Sequence, residues 1–101
     1  MGRVLAISVD RQTAEVIVKQ AQSLYVTPSQ IVRERIYDFF GVPYTGSTGF
    51  LPKYNYKIGS RYTIRVYLRD DVYEKVMRFV SEREISLSSF IRNLFVVEKV
   101  E

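Results

Sequence analysis

The sequence contains no cysteine, no histidine and no tryptophan. Without cysteine there is no disulfide and no thiol nucleophile. Without histidine the chain lacks the commonest general base and the commonest metal ligand. Only carboxylates remain as candidate ligands, and the Asp and Glu residues are scattered, with no paired carboxylates at a recognisable spacing. We therefore expect neither an enzyme nor a protein that holds a metal or other cofactor.

The chain also has little net charge and no long apolar run. A net charge of +4 favours a polyanionic partner without requiring one. No apolar segment approaches the ~20 residues of a membrane span, and the N-terminus lacks a secretory or myristoylation signal. We expect a soluble, intracellular protein with no membrane contact and no small-molecule substrate. At 101 residues and 47% hydrophobic, it is one domain or two very small ones with a packed core.

The sequence does contain an internal repeat, which appears when the chain is shifted by 59 positions, the difference between Leu5 and Ile64. Residues 29–33 then fall on residues 88–92. Other aligned pairs are Leu5 with Ile64, Ile7 with Val66, Val9 with Leu68, Ala14 with Tyr73, Ile17 with Val76, Val18 with Met77 and Ala21 with Val80. Identity is low but the apolar pattern coincides, which predicts a first copy at 1–40, a connector at 41–60 and a second copy at 61–101.

Each copy has the pattern of a strand followed by a helix. Residues 3–9 and 62–68 alternate between two faces, the period of a half-buried strand. A helix follows, with Asp10 as the predicted N-cap in the first copy and Asp70 or Asp71 in the second, where Glu74 is placed for a capping box with Asp71. The apolar positions at helical spacing are Ala14, Ile17, Val18, Ala21 and Leu24, and then Tyr73, Val76, Met77 and Val80.

A second helix is predicted in each copy. Thr27 as cap with Pro28 next marks one start, and Ser86 marks the other. Gly41 ends the helix of the first copy. The second helix has expected core positions in both copies. They are Ile31, Val32, Ile36, Phe39 and Phe40 in the first copy, and Phe90, Ile91, Leu94, Phe95 and Val97 in the second. In the connector Tyr54, Tyr56 and Ile58 alternate, which fits either a third, edge strand near 54–58 or an aromatic-rich loop.

A strand and two short helices of about forty residues bury too little surface to fold alone. The single strand also lacks a partner. Both problems are solved if the two copies interlock, with antiparallel strands over four helices. The connector of about twenty residues spans up to roughly 65 Å at ~3.3 Å per residue, so the two copies can pair within one chain. The predicted fold is an α+β intramolecular pseudo-dimer.

The segments 26–34 and 85–92 resemble the turn and second-helix start of the ribbon-helix-helix superfamily of transcription regulators. The resemblance covers residues 3–40 and 61–100. The tandem arrangement is similar to that of regulators encoded by filamentous viruses of archaea. The family usually has glycine at the end of its first helix, where this chain has Tyr25 and Glu84. Those residues either take a left-handed backbone, at about 1–2 kcal/mol each, or the turn differs.

The resemblance implies sequence-specific binding to double-stranded DNA, as a repressor or an activator. A two-stranded ribbon would lie in the major groove, with outward strand residues contacting bases and the starts of the second helices on phosphates. The implied base-reading residues are Val4, Ala6, Ser8, Thr63, Arg65 and Tyr67. The implied phosphate-contacting residues at the helix starts are Thr27, Ser29, Ser86 and Ser88. Further candidates for contacts with the DNA phosphate backbone are Arg3, Arg61, Arg69, Lys53 and Lys57.

Each of these assignments has an alternative. The outward strand residues can be a solvated face, Tyr67 can be packing, and Thr27 and Ser86 can be ordinary caps. Phe79 aligns with polar Gln20, so we expect it to be exposed and to join protomers in a dimer or larger oligomer. The alternative functions are neutralising a toxin, which only residues 41–60 could serve, or another protein-interaction role.

Overall fold

A computed structural model describes residues 2–43 and 61–96. Its elements are β1 (Gly2–Asp10), α1 (Arg11–Ser23), α2 (Pro28–Phe39), β2 (Arg61–Arg69), α3 (Asp70–Arg83) and α4 (Leu87–Phe95). The fold is α+β, and the predicted order of strand, helix, helix occurs twice. The predicted alternation near 54–58 lies outside the described residues, as do Lys53, Lys57 and Val97.

The two strands form an antiparallel two-stranded sheet, called the ribbon below. Each strand extends one residue further at each end than predicted. Ala6 lies directly opposite Arg65 in the ladder. These two residues also occupy equivalent positions in the repeat, so the ladder is centred on the same position of both copies.

One hydrophobic core lies between the ribbon and the helices. The inward residues of both strands are buried: Leu5, Ile7, Val9, Ile64, Val66 and Leu68. They belong to a single cluster with buried residues of all four helices, including Ile17, Val32, Val76 and Ile91. Burying a side chain of this size contributes about 1.5–3 kcal/mol. Both copies therefore depend on one shared core.

The second helix of each copy is hydrogen-bonded to the strand of the other copy. The hydroxyl of Ser29 in α2 donates to the carbonyl oxygen of Arg65 in β2 at 2.7 Å. The hydroxyl of Ser88 in α4 donates to the carbonyl oxygen of Ser8 in β1. This crossing of helices and strands is compatible with a ribbon-helix-helix layout.

Tyr25 and Glu84 both have a left-handed backbone, with φ of 58° and 55°. Of the two alternatives for these turns, the left-handed one is confirmed. The next amide in each turn reaches back to the helix, from Val26 to the carbonyl of Ala21 at 3.0 Å and from Ile85 to that of Val80 at 3.1 Å. These bonds satisfy carbonyls at the helix ends, as glycine-terminated helices do.

Three of the four predicted helix caps are confirmed. The side chain of Asp10 accepts from the Thr13 amide at 3.1 Å, and that of Thr27 accepts from the Gln30 amide at 3.2 Å. Ser86 accepts from the Ser89 amide at 3.1 Å. Each bond satisfies an amide that the first helical turn leaves without a backbone partner.

The predicted cap of α3 is wrong. The helix begins at Asp70 itself, and its N-cap residue, Arg69, makes no capping bond. The Asp71 carboxylate instead accepts from the Arg69 guanidinium at 2.6 Å and from the amide of the next residue, Val72, at 2.9 Å. The ion pair with Arg69 therefore occupies the carboxylate that was expected to form a capping box with Glu74.

Three residues predicted in the core are exposed: Leu24 by 58%, Phe39 by 47% and Met77 by 37%. Leu24 is the C-cap residue of α1, and Phe39 is the last residue of α2. Phe79, predicted to be exposed, is half-buried instead. Its ring packs 5.1 Å from Phe39 and 5.3 Å from Phe90, between ring centroids, so neighbouring aromatic side chains cover it.

Candidate nucleic-acid interface

The ribbon has one face on the core and one face pointing away from the helices. Alternation along the strands brings all six predicted base-reading residues to this second face, called the outer face below. Its residues are Val4, Ala6, Ser8, Thr63, Arg65 and Tyr67. All are exposed except Ser8, which is half-buried. The structure thus brings residues that are about sixty positions apart in the sequence together on one surface.

The ladder arranges the outer face in three cross-strand rows. Val4 lies opposite Tyr67, Ala6 opposite Arg65, and Ser8 opposite Thr63. Directly opposed side chains on one face have Cβ atoms about 4.5–5.5 Å apart. The six side chains therefore form a continuous strip along the ribbon with Arg65 at its centre.

Arg65 carries the positive charge of this strip. Among residues 2–43 and 61–96 its guanidinium takes part in no ion pair. Its backbone is fixed, because its carbonyl accepts the bond from Ser29. A guanidinium that is exposed and pairs with no carboxylate of the described residues is available to an external acceptor.

The neighbouring arginines at one end of the ribbon are differently placed. Arg3 lies 3.8 Å from the Asp70 carboxylate and 5.2 Å from the centroid of the Tyr73 ring. The Arg69 guanidinium pairs with Asp71, and this hydrogen-bonded charge lowers the pKa of the Asp71 carboxyl to about 2. Both arginines are exposed, but each lies beside a carboxylate whose charge offsets its own.

Tyr67 lies over the start of the other strand. A Cβ atom on Gly2 would come within 2.6 Å of the Tyr67 ring and of the Leu68 carbonyl oxygen. Only glycine at position 2 leaves room for the ring in this position. The ring therefore extends the outer face at this end as an exposed apolar surface.

The predicted phosphate-contacting residues lie at the starts of α2 and α4. Thr27 and Ser86 use their side-chain oxygens as helix caps. Ser29 and Ser88 hold the helix starts against the ribbon through their bonds to strand carbonyls. These four side chains thus position the two helix N-termini beside the ribbon, where the free amides and the helix dipole favour an anion.

Arg92 is a cation at this interface that the sequence analysis missed. It lines a concavity of about 160 Å³ with Asp10, Ser88 and Ser89, between the end of β1 and the start of α4. The pKa of the Asp10 carboxyl is lowered, chiefly by hydrogen bonding from Thr13 and further by the charge of Arg92. The signal was present, because Arg92 is one helical turn from Ser88 and therefore shares its face.

Within the described ranges, 2–43 and 61–96, no helix has the length and apolar character to cross a membrane. The same ranges contain no cluster of three or more acidic residues that could hold a metal ion. Comparison of the chain with family models, curated proteins and solved structures gave no match.

Proposed function

We propose that this chain is a sequence-specific regulator of transcription that binds double-stranded DNA with the outer face of its ribbon. The observation that carries the proposal is the outer face itself, a strip of mostly exposed side chains on a two-stranded antiparallel ribbon. At its centre lies an arginine that forms no ion pair within 2–43 and 61–96. The B-DNA major groove admits such a ribbon and presents a distinct pattern of groups for each base pair.

The two copies act as one pseudo-dimer in this proposal. Each second helix is bonded to the strand of the other copy, and both copies contribute to a single core. One chain then supplies both strands of the ribbon, a unit that separate chains otherwise form by dimerisation. The tether keeps the second copy at an effective concentration in the millimolar range.

The chemistry of the outer face suits contacts with base edges. Arg65 offers a bidentate fork to O6 and N7 of guanine, Thr63 and Ser8 carry hydroxyls, and Val4 and Ala6 can contact a thymine methyl. The starts of α2 and α4 would hold DNA phosphates on either side of the ribbon, and Arg92 would add positive charge beside α4. Phosphate contacts set register, and base contacts set sequence preference. Occupation of promoter DNA in this way would repress transcription.

The test is selection of bound sequences from a random duplex pool, followed by titration of the best duplex against salt. We expect one enriched motif and an affinity that falls steeply with salt, because phosphate contacts release counterions. Weak binding that is equal for all sequences would contradict a sequence-specific regulator. It would instead favour a protein-interaction role, to be pursued by capture of partners.

We also propose that the chain self-associates through a cluster of four phenylalanine rings, those of Phe39, Phe40, Phe79 and Phe90. Phe39 packs edge-on against Phe40 and Phe79, with centroids 5.0 and 5.1 Å apart, yet remains 47% exposed. Sedimentation at increasing concentration should show a larger species that Phe39→Ser removes. Phe79→Ala tests the same cluster, and an unchanged distribution for both variants would exclude it.

A further inference from the structure

The ribbon has an internal two-fold relationship that its outer side chains do not obey. Ala6 and Arg65 are aligned in the repeat, and the same two residues lie opposite each other in the ladder. A two-fold axis that related the two strands would therefore pass through this pair. Rotation about it exchanges Val4 with Thr63 and Ser8 with Tyr67. The ladder is thus centred on equivalent positions of the two copies, while the side chains that it presents on either side of the centre differ.

The two ends of the outer face differ in chemistry. One end is the row of Val4 and Tyr67, which are 58% and 53% exposed and mainly apolar. The other end is the row of Ser8 and Thr63, both of which carry hydroxyls. The Tyr67 ring enlarges the apolar end because it lies over Gly2. At the hydroxyl end, the residue equivalent to Tyr67 is Ser8, which has no ring.

The centre of the outer face is also asymmetric. On the axis a single guanidinium, that of Arg65, lies opposite the methyl group of Ala6. A bidentate fork to O6 and N7 engages one guanine, which belongs to one DNA strand. A two-fold symmetric DNA site would need two equal partners at its centre, and the ribbon supplies one.

We propose that the chain binds a non-palindromic DNA site in one fixed orientation. A G·C pair lies at the centre under Arg65. Thymine methyls lie under Val4 and Tyr67, and base edges with hydrogen-bonding groups lie under Ser8 and Thr63. This inference rests on the proposed function and specifies its substrate. A ribbon centred on equivalent positions of the two copies would thereby distinguish the two directions of a DNA duplex.

The first experiment is motif selection with the intact protein and two variants. For the native chain we expect a motif without two-fold symmetry, in which exchange of the central G·C pair weakens binding roughly 5- to 150-fold. Arg65→Ala should lose most of this dependence. Val4→Thr should relax the preference for thymine on one side of the centre only.

The second experiment measures orientation directly. The chain has no cysteine, so Ser23→Cys and Glu82→Cys each create one site for a tethered DNA-cleaving reagent. These residues are both exposed and are equivalent in the repeat, one at the C-terminal end of α1 and the other at that of α3. In a single orientation, the two labels cut the duplex on opposite sides of the motif centre.

The outcomes separate this inference from the proposed function. An enriched but palindromic motif, or equal cutting on both sides from each label, would overturn the fixed orientation and leave a DNA-binding regulator. Absence of any enriched motif would overturn the proposed function and this inference with it. A non-palindromic motif with one-sided cutting supports both.

Discussion

At the scale of single residues, Tyr25 and Glu84 carry a conformational cost. A left-handed backbone brings Cβ close to the following carbonyl oxygen, which costs about 1–2 kcal/mol for a residue other than glycine. Neither side chain is buried. The strain therefore has no packing gain at the same position to offset it.

Replacing Glu84 by glycine should stabilise the protein by about 1 kcal/mol, because the strain is larger than the entropy that glycine adds to the unfolded chain. Chemical denaturation would measure the change. Glu82→Gly is the control, since this residue lies within α3, where glycine costs up to ~1 kcal/mol. Equal destabilisation by both variants would contradict the account of the turn.

Asp71 provides a prediction on pH. Its pKa is lowered to about 2 by the hydrogen bond from Arg69, against 3.8 for an ordinary aspartate. The stabilisation it contributes is therefore fully present above pH 3.8 and is lost as pH falls towards 2. NMR titration of the carboxyl carbon should show the low pKa and its return towards 3.8 in Arg69→Ala. A native value near 3.8 would mean that the ion pair does not persist in solution.

Arg65→Ala should weaken binding to the selected duplex by about 1–3 kcal/mol and relax specificity at one base pair. Arg78→Ala is the matched control, because it removes the same charge from an exposed position of α3. Equilibrium titration on selected and random duplexes separates the two effects. Equal losses on both duplexes would remove Arg65 from the base-reading residues.

At the scale of helices and strands, the starts of α2 and α4 determine where the helix dipoles point. Thr27 and Ser86 satisfy amides of the first turn, and the hydroxyl bonds of Ser29 and Ser88 attach those turns to the ribbon. Loss of a capping side chain costs about 0.5–2 kcal/mol. The caps are therefore important to the helices and, in the proposed function, to the DNA interface.

Thr27→Ala should lower the free energy of unfolding by about 1 kcal/mol, and Thr27→Ser should largely preserve it because serine caps as well as threonine. Thermal or urea unfolding measures both. If the alanine and serine variants were equally stable, the hydrogen bond to the Gln30 amide would not be a source of stability.

Most elements could be predicted from the sequence because their signals are local. The alternation of apolar residues predicted both strands, to within one residue at each end. Capping residues followed by apolar residues at helical spacing predicted that four helices are present. The α3 cap was missed because the ion pair of Asp71 with Arg69 competes for the same carboxylate. Phe39 was missed as an exposed residue because periodicity does not show where a helix passes beyond the core.

The candidate site was less accessible from the sequence. Alternation could place Val4 and Thr63 on the outward face of each strand, but only the register shows which residues are opposite each other. The pairing of Ala6 with Arg65, on which the proposed fixed orientation rests, is a contact between distant segments. The concavity that Arg92 lines with Asp10 is likewise formed by distant segments, so local sequence patterns do not show it.

At the scale of the whole molecule, the shared core predicts that the two copies unfold together. Ile17 and Val76 are equivalent in the repeat, are fully buried, and belong to one cluster. Replacing Ile17 by alanine should cost about 2–5 kcal/mol, and Val76→Ala should likewise be destabilising. Either variant should lower the stability of residues 2–43 and 61–96 as a single unit.

Hydrogen exchange followed residue by residue tests this cooperativity. With Ile17→Ala we expect the most protected amides of α1 and of α3 to lose the same free energy, because both elements open only in global unfolding. Loss of protection in α1 with unchanged protection in α3 would show two independent domains, contrary to the interlocked arrangement.

The most direct test of the account is to map the surface that meets DNA, by NMR shift perturbation of the intact chain with a duplex from the selection. We predict that the largest changes fall on the outer face, around Ala6 and Arg65, and on the starts of α2 and α4. The exposed positions of α1 and α3, such as Lys19 and Arg78, should change little. Perturbations concentrated on α1 and α3, with the ribbon unaffected, would contradict the claim that this protein binds DNA with its ribbon.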